Sequence, residues 1–346
     1  MNLSTTYMGL HLPHPLVVGA SPLSDDLDLV RQLEDQGAAA FVLRSLYEEE
    51  ITGEQMSDFF FSEVHGDSFP EASSYSPEPE APPGPVEYLE HLRSIKEAVR
   101  VPVIASLNGC TPGGWVSYAR LMEEAGADAI ELHLYHAASD PQISSAEIER
   151  QMVQMVTDVK RELRIPVAVK FSALFTSFAN FATQVDDAGA DALVLFTRFH
   201  KIDIDVIELE VVRRLELSNS SDLDIRLRGI AVLAGRVKAS LAITGGAHTA
   251  LDVIKGTMAG AHVIQLVSTL MRNGPRHLKT LRTDIETWMQ ENEWNSLDEM
   301  RGNMSFQRIA NPASYNARPS DGCFSNTRFQ CCGNFYCPGP GDFCDG

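Results

Sequence analysis

No apolar run in this chain of 346 residues reaches the roughly 18 needed to cross a bilayer. The opening stretch, "MNLSTTYMGLHLPHPLVV", has no basic segment leading into an apolar one, so no secretory signal is read and the cytoplasm is the expected compartment. Positive charge is scarce. With 28 Lys and Arg against 47 Asp and Glu, the net charge of −19 argues against nucleic acid or an anionic membrane as a partner. Cysteine is nearly absent from the body, where Cys110 stands alone, as in a reduced intracellular protein. The other five crowd into "CFSNTRFQCCGNFYCPGPGDFC" (323–344), whose spacing fits no zinc or iron–sulfur pattern, so no metal site is expected. Its Gly and Pro density points to a disordered extension over 316–346, with metal binding or disulfide formation in vitro as alternatives.

What is present is a repeat: a charged helix end, then Gly-Ala, then a short apolar strand. It occurs in "LEDQGAAAFVLRS" (33–45), "MEEAGADAIELHL" (122–134), "VDDAGADALVLF" (185–196) and "TMAGAHVIQLVS" (257–268). The Gly suits a left-handed helix C-terminus, and a continuously apolar strand suits a sheet covered on both faces. "VRVPVIASL" (99–107) and "LRIPVAVKF" (163–171) open two further strands after a Pro; "HPLVVGAS" (14–21) and "ASLAITGG" (239–246) complete eight. Helical patterns lie between most of them, at 113–126, 144–164, 177–189 and 247–260. The expected fold is therefore an α/β (β/α)8 barrel over 1–315. A doubly wound sheet is the competitor, but no G-x-G-x-x-G follows the first strand. Long excursions follow strand 2 (46–85) and strand 6 (197–238), leaving from the catalytic face as lids, interface arms or plain decoration.

Active-site residues of such a barrel sit at the C-terminal strand ends. In order these are Ala20-Ser21, Arg44-Ser45, Asn108, His133/Tyr135/His136, Lys170, Thr197-Arg198, Gly245-Gly246 and Val267-Ser268. This polar, net basic set on an acidic protein suits an anionic ligand. "TGG" (244–246) before a helix, with "QLVS" closing strand 8, suggests a phosphate cradle of main-chain N–H groups, against the plainer reading of an ordinary turn. Lys170 could pair with a cofactor group, form a Schiff base or serve only structure. His136, with an imidazole suited to proton exchange near neutrality, is the candidate acid/base. Arg228 and Arg236 are further candidates to hold an anion.

The ordered motifs "HPLVVGASPLSDD", "VPVIASLNG", "GADAIELHL", "IPVAVKFS", "ITGGAHTALDVIKGTMAGAHVIQLVS" and "LMRNGP" resemble the dihydroorotate dehydrogenase family of FMN-dependent (β/α)8 barrels, over roughly residues 3–290. The resemblance implies a cytoplasmic flavoprotein oxidoreductase of the type found in pyrimidine biosynthesis, habitually a homodimer. It places Ala20, Ser21, Asn108, His133 and Lys170 around the flavin and Gly245, Gly246, Val267 and Ser268 around its phosphate. Arg44, Thr197 and Arg198 then face a small anionic substrate, with His136 and Lys170 as the catalytic pair.

The substrate side departs from the family. Where the family reads "ELNxSCPN", this chain reads "ELHLYHAASDP", so His133 replaces the first Asn and His136 the cysteine base. Thr197 replaces a strand-6 Asn and Arg44 a strand-2 Lys. Each polar contact left unmade costs about 1–3 kcal/mol, which weighs against dihydroorotate as the substrate. The expected function is hydride transfer between flavin N5 and a carbon–carbon bond of a small anionic substrate; neither substrate nor electron acceptor is named by the sequence. The alternative is a barrel that keeps flavin or phosphate but has lost its chemistry and acts as a regulatory or assembly protein.

Overall fold

The repeated Gly-Ala segments mark the places where a helix stops and a strand turns into the barrel wall. In the computed structural model, Gly37, Gly126, Gly189 and Gly260 have φ of +94°, +98°, +98° and +130°, all at helix ends. The structure describes residues 1–48, 51, 85–109, 116–135, 139–197, 201–214 and 216–316. The strands are β1 (Thr5–Tyr7), β2 (Leu10–Leu12), β3 (Leu16–Val18), β4 (Phe41–Tyr47), β5 (Val103–Gly109), β6 (Ala129–Leu134), β7 (Val167–Phe171), β8 (Ala192–Leu195), β9 (Lys201–Asp205), β10 (Glu210–Arg214), β11 (Ser240–Thr244) and β12 (Val263–Leu266). Between and after them run α1 (Leu27–Asp35), α2 (Pro85–Ala98), α3 (Val116–Glu124), α4 (Ser145–Glu162), α5 (Phe178–Asp187), α6 (Asp224–Leu233), α7 (Ala250–Ala259), α8 (Ser268–Asn273), α9 (His277–Glu291) and α10 (Leu297–Met300).

Strands β3 to β8, β11 and β12 close a parallel eight-stranded barrel, with helices crossing between successive strands: the (β/α)8 architecture expected from the sequence. The charged helix ends of the repeat have a structural task. Glu34 accepts from the N–H groups of Arg100 and Val101, and Glu123 from those of Arg164 and Ile165. The Asp of each "GAD" works alike. Asp128 accepts from Lys96 Nζ (2.6 Å) and Val103 N (2.7 Å), and Asp191 from Lys160 Nζ (2.6 Å) and Val167 N (2.7 Å). These carboxylates satisfy the N–H groups where neighbouring strands begin, which fixes the register at the N-terminal end of the barrel.

That end is closed by the antiparallel β1–β2 hairpin, which the sequence reading did not anticipate. Its Tyr7, Met8 and Leu12 pack into one core cluster with Val17, Val42, Ile104, Ala168, Val194 and Ala242. Within the strand-6 excursion, β9 and β10 form a second hairpin that exposes Ile202, Ile204, Val206, Ile207, Leu209 and Val211. One compact unit runs from Met1 to Ile309; the other, Ala310–Gly346, contributes only residues up to 316 to the description. The cysteine-bearing segment 323–344 and most of the 46–85 excursion lie outside the described residues. Among those described, no helix is long and apolar enough to cross a membrane.

One buried and one half-buried imidazole are expected to make the barrel acid-sensitive. Burial, helped by the Arg282 and Arg301 charges respectively, lowers the pKa of His14 and of His262 from 6.5 to about 4. The unfolded chain takes up these protons near pH 6.5 while the folded one does not until about pH 4. Stability is therefore expected to fall as pH drops through that window, by at most roughly 3 kcal/mol per histidine. Urea midpoints at pH 7 and pH 4.5 measure this; equal midpoints would contradict it.

Candidate active site

At the C-terminal mouth of the barrel, "AIELHL" places two polar side chains inside an otherwise apolar strand. Glu131 is fully buried, a position a carboxylate holds only with partners. One of its oxygens accepts from Lys170 Nζ on β7 at 2.5 Å, and the other from Gln265 Nε2 on β12 at 2.5 Å. The contact with Gln265 crosses the barrel lumen and joins residues 134 apart in sequence. Gln265 Oε1 is buried with no hydrogen-bond partner among the described residues. Burial, helped by the Glu131 charge, pushes the Tyr7 hydroxyl pKa well above its usual value. Glu131 and Gln265 were missed by the sequence reading; a lone carboxylate in an apolar strand was the available signal.

Two residues further along β6, His133 is buried and engaged at both ring nitrogens. Nδ1 lies 2.9 Å from Asn108 Nδ2 on β5, and Nε2 lies 2.8 Å from Thr197 Oγ1 after β8. Burial and the Lys170 ammonium hold its pKa well below the ordinary imidazole value. Ser45 and Ser106 pair across β4 and β5 at 2.7 Å. Ser21 is buried at the end of the segment after β3, where its hydroxyl donates to Gly19 O, and Ala20 packs against the core cluster. Asn108, His133, Lys170 and Thr197 thus gather on one side of the mouth, as expected. Tyr135, just beyond them, is partly exposed. His136 and Arg198 lie outside the described residues.

Arg44 takes another course. A β-bulge between Val42 and Ser45 shifts β4, and the guanidinium turns to Asp25, Nε–Oδ1 3.5 Å. It lines a pocket of about 240 Å³ with Ser24, Asp25, Leu43, Glu87, Tyr88 and His91, beside α2. Arg236 follows α6 and precedes β11, which puts it at the opposite end of the barrel, where it stacks over Phe306 at 5.0 Å. It is no partner for a ligand at the mouth.

Three loops meet beside β11 and β12. Gly246 N donates to Ser218 Oγ (3.2 Å), and Ser218 N donates to Ser268 Oγ (3.0 Å). Gly245 and Gly246 have φ of +78° and +85°, and a Cβ on Gly246 would fall 2.7 Å from Leu223 N. The following helix starts three residues later than the expected 247. It begins at Ala250 behind a capping box, in which Thr249 accepts from Asp252 N and Asp252 from Thr249 N. Asp252 also takes the N–H of His248 and the hydroxyl of Ser220, so its carboxylate is already engaged by the protein. Through Ser218 the glycine loop is tied to Ser268, the first residue of α8, with Val267 as that helix's N-cap. Arg272, which donates to Leu217 O, and His248, hydrogen-bonded to Ser218 Oγ, border it; neither was among the residues expected. Arg226, also unexpected, straps the cluster from below through Thr244 O, Asp222 O and Phe196 O. Among the described residues no group of three His, Cys, Asp or Glu side chains is placed to hold a metal ion.

Residues 81–289 match the family described as dihydroorotate dehydrogenase. The chain is 26% identical over 308 residues to the dihydroorotate dehydrogenase B (NAD(+)) catalytic subunit of Thermoplasma acidophilum, covering 87% of this chain and 98% of that one. It is 27% identical over 312 residues to the corresponding subunit of Thermoplasma volcanium, again covering 87% and 98%. The matched segment spans the wall from α2 to α9, including Glu131, His133, Lys170, Thr197 and the glycine loop. With a closed (β/α)8 barrel around them, the chain belongs to the dihydroorotate dehydrogenase family and is a flavin-dependent oxidoreductase acting on CH–CH groups.

Proposed function

We propose that the barrel mouth binds FMN and that the chain transfers hydride between flavin N5 and a carbon–carbon bond of a small anionic substrate. The observation that carries this is the Glu131–Lys170–Gln265 cluster, where a buried acceptor, Gln265 Oε1, has no partner among the described residues beside a buried ammonium. The ring N–H and carbonyls on the pyrimidine side of a flavin are the complement of that pair. Lys170 then favours the reduced, anionic form by its charge. Ala20 and Ser21 flank the ring, and Asn108 and His133 border it on the β5–β6 side. Gly245, Gly246, Val267 and Ser268 hold the phosphate through main-chain N–H groups, with Gly246 exchanging its bond to Ser218 for one to a phosphate oxygen. When bound, FMN supplies the hydride acceptor and donor.

The chain supplies the remaining parts. Lys170 is the catalytic cation beside the reacting ring; His136 takes or returns the proton on the neighbouring carbon; Thr197 and Arg198 hold the substrate. Arg44, from its place beside Asp25, reaches the substrate only by leaving that carboxylate. A homodimer is the proposed assembly: a two-stranded hairpin is marginal alone in water, and six exposed apolar side chains on and beside β9–β10 favour a covering copy.

Riboflavin tests the phosphate cradle, since it lacks only the phosphate. Losing two charge-assisted hydrogen bonds at about 1.5 kcal/mol each weakens binding about a hundredfold. Fluorescence titration of the flavin-depleted protein is expected to show FMN binding tighter by that factor. Equal affinities would remove the cradle from the account.

A further inference from the structure

His133 has both ring nitrogens engaged, by a side chain of the neighbouring strand β5 and by one just after β8, and the direction of those two bonds can be worked out. The group 2.9 Å from Nδ1 is the amide nitrogen of Asn108, which can only donate, so Nδ1 carries no proton. A neutral imidazole has one N–H, which is then on Nε2 and donates to Thr197 Oγ1 at 2.8 Å. The ring stays neutral because it is buried and because Lys170 on β7 repels a second proton, even with Glu131 on its own strand. With its oxygen accepting from His133, Thr197 keeps its own hydroxyl hydrogen, which has no other partner among the described residues. Thr197 is only partly buried, unlike Asn108 and His133 behind it.

We propose that Asn108, His133 and Thr197 form a fixed hydrogen-bond relay, in which no proton changes place, that presents the Thr197 hydroxyl hydrogen to the substrate, so that the substrate places an acceptor oxygen, of a carboxylate or conjugated carbonyl, at that point of the mouth. In this arrangement His133 is a positioning residue and not the acid/base, and Thr197 sets specificity. A ligand offering an N–H there has only the second lone pair of Oγ1 to donate to and leaves the hydroxyl hydrogen without an acceptor. The inference deepens the flavin reading above and rests on it for the location of the substrate, but the relay itself is a property of the protein alone.

Two measurements test it. The first is the imidazole 15N spectrum of the full-length flavin-depleted protein, with His133→Asn assigning the signal. The expected result is the Nε2–H tautomer from pH 5.5 to pH 8 without titration. An Nδ1–H tautomer, or a ring that titrates in this range, would overturn the relay. The second uses crotonate, a small unsaturated carboxylate without N–H groups, as the probe, titrated into the FMN-loaded protein while the bound flavin's absorption is followed. Thr197→Val is expected to weaken crotonate about tenfold or more, as for a hydrogen bond to a charged group. Thr197→Ser, which keeps the hydroxyl, is expected to stay within about threefold of the wild type. Crotonate that fails to perturb the wild-type flavin, or binds Thr197→Val as tightly, would overturn the assignment of Thr197. Failure of all three proteins to take up FMN would instead refute the flavin reading, leaving the 15N result to decide on the relay.

Discussion

Glu131→Ala is expected to destabilise the barrel by about 3–5 kcal/mol, the penalty typical of breaking one side of a buried ion pair. Lys170 Nζ and Gln265 Nε2 each point a donor at this carboxylate from 2.5 Å, and both side chains are buried. Removing the acceptor strands an ammonium and an amide N–H together. In a domain this large, that corresponds to a fall in Tm of roughly 6–15 °C by calorimetry. The double variant Glu131→Leu/Lys170→Met removes both charges and fills the space, so it is expected to recover part of the loss while still failing to retain flavin. A single variant within about 1 kcal/mol of wild type would mean that the carboxylate is not the anchor described here. Stability that recovers in the double variant while FMN affinity does not separates the structural task of the pair from its proposed role at the ring.

The second large effect is expected at Gly246. A side chain there faces φ of +85° and a Cβ only 2.7 Å from Leu223 N and 2.8 Å from its Cα, backbone atoms that cannot rotate aside. Gly246→Ala therefore combines a left-handed strain of about 1–2 kcal/mol with displacement of the segment that carries Ser218. FMN affinity is expected to fall at least a hundredfold, on the same arithmetic as the loss of the phosphate contacts. Gly274 is the control. Its φ is +75°, but nothing lies within 4 Å of an added Cβ, so Gly274→Ala meets only the conformational strain. Similar flavin affinities in the two variants, by fluorescence titration, would show that the close approach at Gly246 is irrelevant to the cradle.

Much of the barrel was legible because its signals are local. Helix ends with glycine, Pro-initiated strands and apolar runs lie within a dozen residues of one another, and the charged residues before Gly37, Gly126 and Gly189 recur because each ties down a neighbouring strand. The convergence of Asn108, His133, Lys170 and Thr197 was legible for the same reason: strand order fixes which ends are neighbours. The Glu131–Gln265 contact was not, because a bond across the lumen depends on which layer of the barrel each side chain enters. The direction of Arg44 was not legible either, because the bulge in β4 breaks the alternation from which it would be read. At the glycine loop, "GGAHTALD" reads equally as a helix start at 247 or as a loop closed by a Thr249–Asp252 box. Only the tertiary position of Ser220, which also binds Asp252, distinguishes the two.

The central claim is that this mouth is a flavin site, and the visible absorption spectrum of the protein as purified, with its chromophore then released and quantified, tests it most directly. The account predicts the bands of oxidised flavin and about one FMN per chain. A colourless protein that takes up no added FMN would contradict it.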